Sequence, residues 1–291
     1  MMATRHIKLL SVSLLVSACA ADSEPANDLV IVDGNASVHM QPVHAAGKIL
    51  EVAPPGAHLS FFGGPLLPNI HVSPIYWNST VQFTGTLSPF YNDVPNSPLY
   101  SMLAQYGIGH GSGQPGLVAG RSTRNIKDSD IRTEVLFEIN QGTVPPPSDV
   151  NNYYPVHLAP GMQVSAPDGS LSCVVFCAYH GTFQALDATG NRFNVNYGVL
   201  PDLSGACNGV CGGNTVVNNT TSVASHELIE ATTDPAVGLA SVIGFPLAWY
   251  DPTFGEIGDI CNGQQGTTTG NGHNYVIQLE FSNAANNCVQ N

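Results

Sequence analysis

A histidine and two glutamates in residues 225–235 have a spacing that could hold a metal ion. His226 and Glu230 are four residues apart, and positions i and i+4 lie on the same face of a helix. Glu227 directly follows His226, as the general base does in zinc hydrolases of the H-E-x-x-H type. Glu230 replaces the second histidine of that pattern, and zinc also accepts carboxylate oxygens. This stretch predicts a metal-binding helix with Glu227 as the catalytic base. The alternative is an ordinary polar helix face.

A catalytic zinc site needs a third protein ligand and an open position for water. Glu256 and Asp259 each follow a glycine downstream of the helix, and acids in an apolar setting need a partner. We expect one of them to bind the metal and the other to support it, without a choice between them. Tyr250 is a candidate donor to a developing oxyanion. Because hard oxygen ligands also suit calcium, calcium is the alternative to zinc.

Three further histidines, His110, His180 and His273, are weaker candidates. His110 lies between glycines, His273 lies between Gly272 and Asn274, and His180 follows Cys177 near the end of a predicted strand. Each of them is expected to be structural or exposed.

The N-terminus carries the features of an export signal. Arg5 and Lys8 precede a short apolar run that is too short to span a bilayer. Residues 16–19 read Val-Ser-Ala-Cys, which is typical of a bacterial lipoprotein signal cleaved before Cys19. The alternative is ordinary signal cleavage. We predict a signal peptide at residues 1–18, a flexible tether at residues 19–48 and one domain at residues 49–291.

Six cysteines remain after Cys19, an even number that favours disulfides in an exported chain. Two local pairs, Cys173–Cys177 and Cys207–Cys211, are the easiest to close, which leaves Cys261–Cys288. All connectivities stay open on sequence grounds. A four-cysteine metal site is the less favoured alternative, because thiols outside the cytoplasm tend to oxidise.

Charge excludes some partners. Without Arg5 and Lys8 the chain has six basic residues against 21 acidic ones, a net charge of −15. Nucleic acids and anionic lipid surfaces are therefore poor partners, and we expect membrane contact only through a lipid anchor. The localisation predicted is the bacterial cell envelope, either as a lipoprotein or as a secreted protein.

The periodicity of apolar residues predicts both strands and helices. Strands are expected at residues 69–77, 152–158, 171–180, 193–199 and 274–282, and helices at residues 97–106 and 128–141. The metal-binding helix is expected to begin near residues 220–222 and to end before Pro235. This mixture predicts an α+β fold, a zincin-like mixed sheet with a metal-binding helix, stabilised by disulfides.

Several stretches together resemble the exordium-like, or phosphate-induced protein 1, family across residues 70–288. They are Cys173-Val-Val-Phe-Cys177-Ala-Tyr-His180, Pro201-Asp-Leu-Ser-Gly-Ala-Cys207-Asn-Gly-Val-Cys211, Thr233-Asp234-Pro235, and the acids before Cys261 with the final Cys288. The resemblance implies an extracellular or cell-wall protein; plant relatives are associated with growth and brassinosteroid response. The plant pattern lacks the His-Glu-x-x-Glu residues, so the resemblance does not itself imply an enzyme.

The leading functional prediction is an exported zinc-dependent metallohydrolase that acts on a peptide or protein substrate. The alternative is a non-catalytic extracellular module that binds cell-wall polysaccharide or a protein and holds its ion structurally.

Overall fold

The computed structural model describes residues 28–32, 37–43 and 52–291. The predicted signal peptide, Cys19 and most of the predicted tether lie outside these residues. The strands are β1 (Val30–Ile31), β2 (Val38–Pro42), β3 (Ser60–Phe61), β4 (His71–Val72), β5 (Ile75–Tyr76), β6 (Ser112–Gly113), β7 (Leu117–Val118), β8 (Asn125–Lys127), β9 (Asn152–His157), β10 (Gln163–Ser165), β11 (Phe176–Leu186), β12 (Arg192–Leu200), β13 (Trp249–Tyr250), β14 (Gln265–Gly270), β15 (His273–Gln278), β16 (Glu280–Ser282) and β17 (Asn287–Val289).

The α-helices are α1 (Thr84–Asp93), α2 (Pro98–Met102), α3 (Asp128–Asn140) and α4 (Val216–Thr233). Short 3₁₀ turns cover Val94–Asn96, Leu103–Tyr106, Gly205–Cys207, Val237–Leu239 and Asp259–Cys261. The predicted α+β character is confirmed in its coarse form, a mixed α/β chain with several sheets and paired cysteines.

A nine-stranded mixed sheet forms the centre of the molecule, with β11, β12 and β9 as its middle strands. β11 pairs antiparallel with β12, and β12 pairs parallel with β9. Along β11, Phe176, Tyr179 and Phe183 face one core cluster, while Cys177 and Ala178 belong to the other. From Ala178 onwards the sides follow the two-residue period of a strand, and a register shift between Phe176 and Ala178 interrupts that period at the start of β11. The sheet is therefore covered on both faces, by α3 on one side and α4 on the other.

The tether prediction differs from the structure for the residues that the structure describes. β1 and β2 both lie within residues 19–48, and both pair antiparallel with β11. The physical reason is that Val38 and Met40 alternate with His39 and Gln41, a pattern that suits a strand at the edge of a sheet. The polar residues around this short segment made the pattern difficult to recognise. β2 therefore lies beside the central strand β11, and His39 lies directly opposite His180.

Helix α4 is longer than predicted at its start and ends where expected. Thr215 is its N-cap, and its hydroxyl accepts a hydrogen bond from the Asn218 amide. The hydroxyl of Thr220 donates to the carbonyl of Val216, so this residue satisfies its polar group within the helix. The helix ends at Thr233, before Pro235. From Asn219 onwards every residue of α4 is buried, which makes it a core helix and not an amphipathic surface helix.

The cysteine pairing corrects the local assignment. The disulfides join Cys173 to Cys207, Cys177 to Cys211, and Cys261 to Cys288. Only the third pair agrees with the sequence-based assignment. The first two each close 34 residues, because the fold lays the Gly205–Cys207 turn against the start of β11. Since all six cysteines are paired, a four-thiolate metal site is excluded.

Disulfides indicate an oxidising, extracellular environment. Among the described residues, no helix combines the length and the apolar character needed to cross a bilayer.

The pairing can be checked by mapping peptides from the unreduced, denatured protein. Chymotryptic cleavage after Phe176 separates Cys173 from Cys177. We expect both resulting peptides to stay linked to the peptide that carries Cys207 and Cys211. A Cys173–Cys177 species that is free of that peptide would contradict the structure.

Candidate metal centre

Four separate parts of the chain bring their functional side chains to one buried position. α4 supplies His226, Glu227 and Glu230, while the loop after β13 supplies Glu256 and Asp259. His180 comes from β11 and His39 from β2. His180, His226, Glu227, Glu230 and Glu256 have no measurable exposure. The side chains of His39 and Asp259 are 20% and 16% exposed, so the cluster meets solvent on their side.

Glu230 is the member common to every group of side chains that could hold a metal ion. Within the described residues there are three such groups: His226, Glu230 and Asp259; His39, Glu230 and Glu256; and His180, Glu227 and Glu230. In each group the candidate ligand atoms lie within 4.8 Å of one another. The structure therefore brings together the sequence-predicted metal residues, and it adds His39 and His180 to them.

The i, i+4 spacing on α4 brings His226 and Glu230 together, as the sequence predicts. His226 Nε2 lies 3.1 Å from Glu230 Oε2 on one face of α4. Glu230 Oε1 accepts a hydrogen bond from the Asp259 amide at 3.0 Å, which ties α4 to the downstream loop. Gly258 permits this approach, because a Cβ at that position would lie only 2.5 Å from His226 Nδ1.

The two downstream acids occupy different places around Glu230. Asp259 Oδ2 accepts a hydrogen bond from His39 Nε2 at 2.6 Å. Glu256 presents Oε2 at 3.2 Å from His39 Nδ1 and Oε1 at 3.6 Å from His180 Nε2. Asp259 shares a candidate group with His226, whereas Glu256 shares one with His39.

Several buried polar atoms in the cluster have no hydrogen-bond partner. They are His180 Nε2, His226 Nε2, Glu227 Oε1, Glu230 Oε2 and both carboxylate oxygens of Glu256. Buried polar atoms are almost always paired, so the carboxylate oxygens in this set need a proton or a cation beside them. The residues present therefore fit a divalent cation.

Burial and mutual repulsion dominate the electrostatics of the acids. Burial raises the pKa of Glu227 well above its usual range, and the Glu230 carboxylate raises it further. Burial and Glu230 raise the pKa of Glu256 in the same way. Burial also raises the pKa of Asp234 to about 7, against the effect of the Ala248 amide that donates to it. Without a cation beside them, these carboxyl groups hold their protons more strongly than ordinary carboxylic acids do.

His180 and His39 differ in how their surroundings shift the pKa of the ring. Burial lowers the pKa of His180 well below its usual range, and the nearby His39 and His226 rings lower it further. His180 is thus neutral, the form that binds metals. Burial alone would lower the pKa of His39 as well, but the Asp259 carboxylate outweighs it and raises that pKa to about 9. His39 in turn holds the pKa of Asp259 below its usual value despite burial.

No family model, curated protein or solved structure matches this chain. The resemblance to the exordium-like family thus stays a prediction, as does the zincin-like character of the sheet.

The remaining predicted residues lie at different distances from the cluster. Tyr250 lines a cavity of about 370 Å³ together with His39. Burial and the Glu256 carboxylate raise the pKa of Tyr250 to about 12. His273 instead pairs with Asp93 at 2.8 Å, and His110 lies 3.3 Å from the carbonyl oxygen of Pro95. These two histidines are not part of any candidate metal group in the described residues.

The metal-free chain is expected to lose stability as the pH rises. The folded pKa of Asp234, about 7, lies above the unfolded value of about 3.9. The folded state therefore keeps a proton that the unfolded state has released, and the free energy of unfolding falls from about pH 4 to pH 7. The His39–Asp259 pair adds to the fall as the pH passes through about 9.

Urea unfolding at pH 5 and pH 8 in the presence of EDTA measures this change. Asp234→Asn keeps the acceptor for the Ala248 amide but does not titrate, so its loss of stability should be smaller by on the order of a few kcal/mol. The control Asp187→Asn removes an exposed carboxylate with a pKa of about 2, and it should follow the wild type. Identical pH dependence in all three proteins would contradict this assignment.

Proposed function

We propose that the chain is an exported zinc-dependent hydrolase, with peptides or proteins as its substrates. The observation that supports this most directly is the set of unpartnered buried acceptors around Glu230 and Glu256, with Glu227 beside them. The donor set of imidazole nitrogens and carboxylate oxygens is one that zinc accepts. Glu230 holds the ion together with Glu256 or Asp259 and at least one of the three histidines.

The chain's own residues provide the proton transfers. A zinc ion held by these residues would polarise a carbonyl oxygen and lower the pKa of water beside it. Glu227 Oε2 accepts a hydrogen bond from His180 Nδ1 at 3.2 Å, while Oε1 has no partner. His180 therefore orients the carboxylate, and Oε1 is the atom that takes a proton from water and passes it to the leaving nitrogen. The raised pKa of Glu227 suits a group that must hold a proton between these two steps.

Access to the site supports the same assignment. The cavity beside His39 is lined by Val237, Leu247 and Tyr250 among others, and it adjoins the only part of the cluster that solvent reaches. The cavity combines these apolar side chains with polar ones such as His39, Ser37 and Ser241, and substrate sites need polar groups to orient a bound molecule. In this proposal Tyr250 donates its hydroxyl to the oxyanion that forms on the substrate.

Export belongs to the same proposal. The disulfides support an oxidising location, and residues 16–19 support lipid attachment at Cys19. Labelling of cells with radioactive palmitate, compared between wild type and Cys19→Ser, tests the anchor. Equal labelling of both proteins would exclude it.

A non-catalytic extracellular module with a structural ion, directed at cell-wall polysaccharide or a protein, is the second candidate. Complete burial of Glu227 and Glu230 favours it, and carboxylate ligands also suit calcium. If this candidate holds, the purified chain contains calcium. Glu230→Gln then lowers the melting temperature, and no peptide in a substrate screen is cleaved.

The hydrolase proposal predicts that Glu227→Gln keeps its metal and loses its activity. Removing a general base lowers kcat by about 100- to 10,000-fold, whereas zinc content per chain, measured by mass spectrometry, should not change. Glu138→Gln is the matched control, because Glu138 is a buried glutamate of α3 outside the cluster. Unchanged turnover in the Glu227 variant would exclude it as the base.

A further inference from the structure

We propose that His39, Glu256 and Glu230 form the metal-binding set, and that His226, the histidine of the helical motif, remains outside it. This inference rests on the proposed zinc dependence and specifies the ligands of that same site. It follows from which ring nitrogen of each histidine is already used by a neighbouring group.

Gln278 fixes the tautomer of His226. The Gln278 side-chain oxygen accepts hydrogen bonds from Gln41 Nε2 at 3.0 Å and from the Gly263 amide at 3.2 Å. Its nitrogen donates to the Gly258 carbonyl at 2.8 Å, and the amide therefore cannot turn round without losing these bonds. The same nitrogen lies 2.7 Å from His226 Nδ1, to which it donates. A neutral His226 then carries its proton on Nε2 and has no free lone pair there for a metal ion.

His39 is arranged in the opposite way. Its Nε2 donates to Asp259 at 2.6 Å, so a neutral ring has a free lone pair on Nδ1. That lone pair faces Glu256 Oε2 at 3.2 Å. A carboxylate that holds one nitrogen of a histidine while the other binds the ion is the usual outer support of a metal-binding imidazole. Asp259 thus acts as a positioning residue for His39 and not as a ligand.

Glu256 lies close to both His39 and His180. His180 Nδ1 donates to Glu227, so its Nε2 also has a free lone pair, and this atom lies 3.6 Å from Glu256 Oε1. Glu256 Oε1 therefore faces a nitrogen lone pair of His180, Oε2 lies beside His39 Nδ1, and neither oxygen has a hydrogen-bond partner in this buried place. A cation bound to Glu256 and to the deprotonated Nδ1 of His39 would satisfy both oxygens and remove the repulsion between Glu256 Oε1 and His180 Nε2. His39 is also the member that reaches the solvent-facing cavity, where an open coordination position is needed.

Zinc affinity of the full mature chain tests the assignment. Competition with a chelating indicator is measured for wild type, His39→Ala, Asp259→Asn and His226→Gln. We expect His39→Ala to lose at least about 100-fold in affinity and Asp259→Asn about 10-fold, as is typical of ligands and their outer partners. His226→Gln should stay within about threefold of wild type, and the exposed-loop control His110→Ala should match wild type.

The outcomes separate this inference from the proposed function. Loss of zinc in His226→Gln with retention in His39→Ala would overturn the ligand assignment and leave the hydrolase proposal intact. A wild-type chain that binds no zinc, with a doubly protonated His39 between Asp259 and Glu256, would overturn both.

A measurement on the wild type covers the case in which His226→Gln does not fold. Long-range ¹⁵N–¹H NMR of the zinc-loaded chain reads the ring tautomers. A proton on Nε2 of His226 supports the assignment, and a metal-bound Nε2 contradicts it.

Discussion

The burial of negative charge is the constraint on which the rest of the structure depends. Glu227, Glu230, Asp234, Glu256 and Glu280 have no measurable exposure, and Asp259 is only slightly exposed. An uncompensated ionised carboxylate in a protein interior costs several kcal/mol, against a total stability of about 5–15 kcal/mol. The fold must therefore supply protons, imidazolium or a metal ion at this place. Three histidines and a set of unpartnered ligand atoms around Glu230 are consistent with a metal ion.

The architecture explains why the cluster is rigid. α4 is packed between the sheet and the β14–β15 hairpin, β11 is the middle of the sheet, and the Cys261–Cys288 disulfide holds the chain directly after Asp259. The Cys177–Cys211 disulfide lies three residues before His180 on β11. Ligand geometry that is set by core elements is maintained without the ion, so metal loss should affect charge balance more than backbone position.

The parts of the site that depend on local spacing can be predicted from the sequence. His226, Glu227 and Glu230 are recognisable because a helix places i and i+4 together, and Glu256 and Asp259 stand out as acids in an apolar stretch. His39 was not recognised from the sequence, and His180 was only a weak candidate, because their meeting depends on the pairing of β2 with β11, across about 140 residues. A strand pairing of that range leaves only a weak alternation signal in the sequence.

The same distinction holds for the fold. The end of α4 before Pro235 and the strands at residues 152–157 and 192–200 can be predicted from turn residues and apolar runs, and these predictions agree with the structure. The Cys173–Cys207 and Cys177–Cys211 disulfides do not follow from spacing, because spacing favours closure within each C-x3-C pair. They are decided by how the Gly205–Cys207 turn packs on β11.

Anomalous diffraction at the zinc edge, from crystals of the mature chain grown with zinc, tests the central claim most directly. We expect one strong peak within coordination distance of Glu230 and Glu256, about 2.0–2.2 Å from their oxygens. An ordered cluster with no peak, in which His39 bridges Asp259 and Glu256 alone, would contradict it.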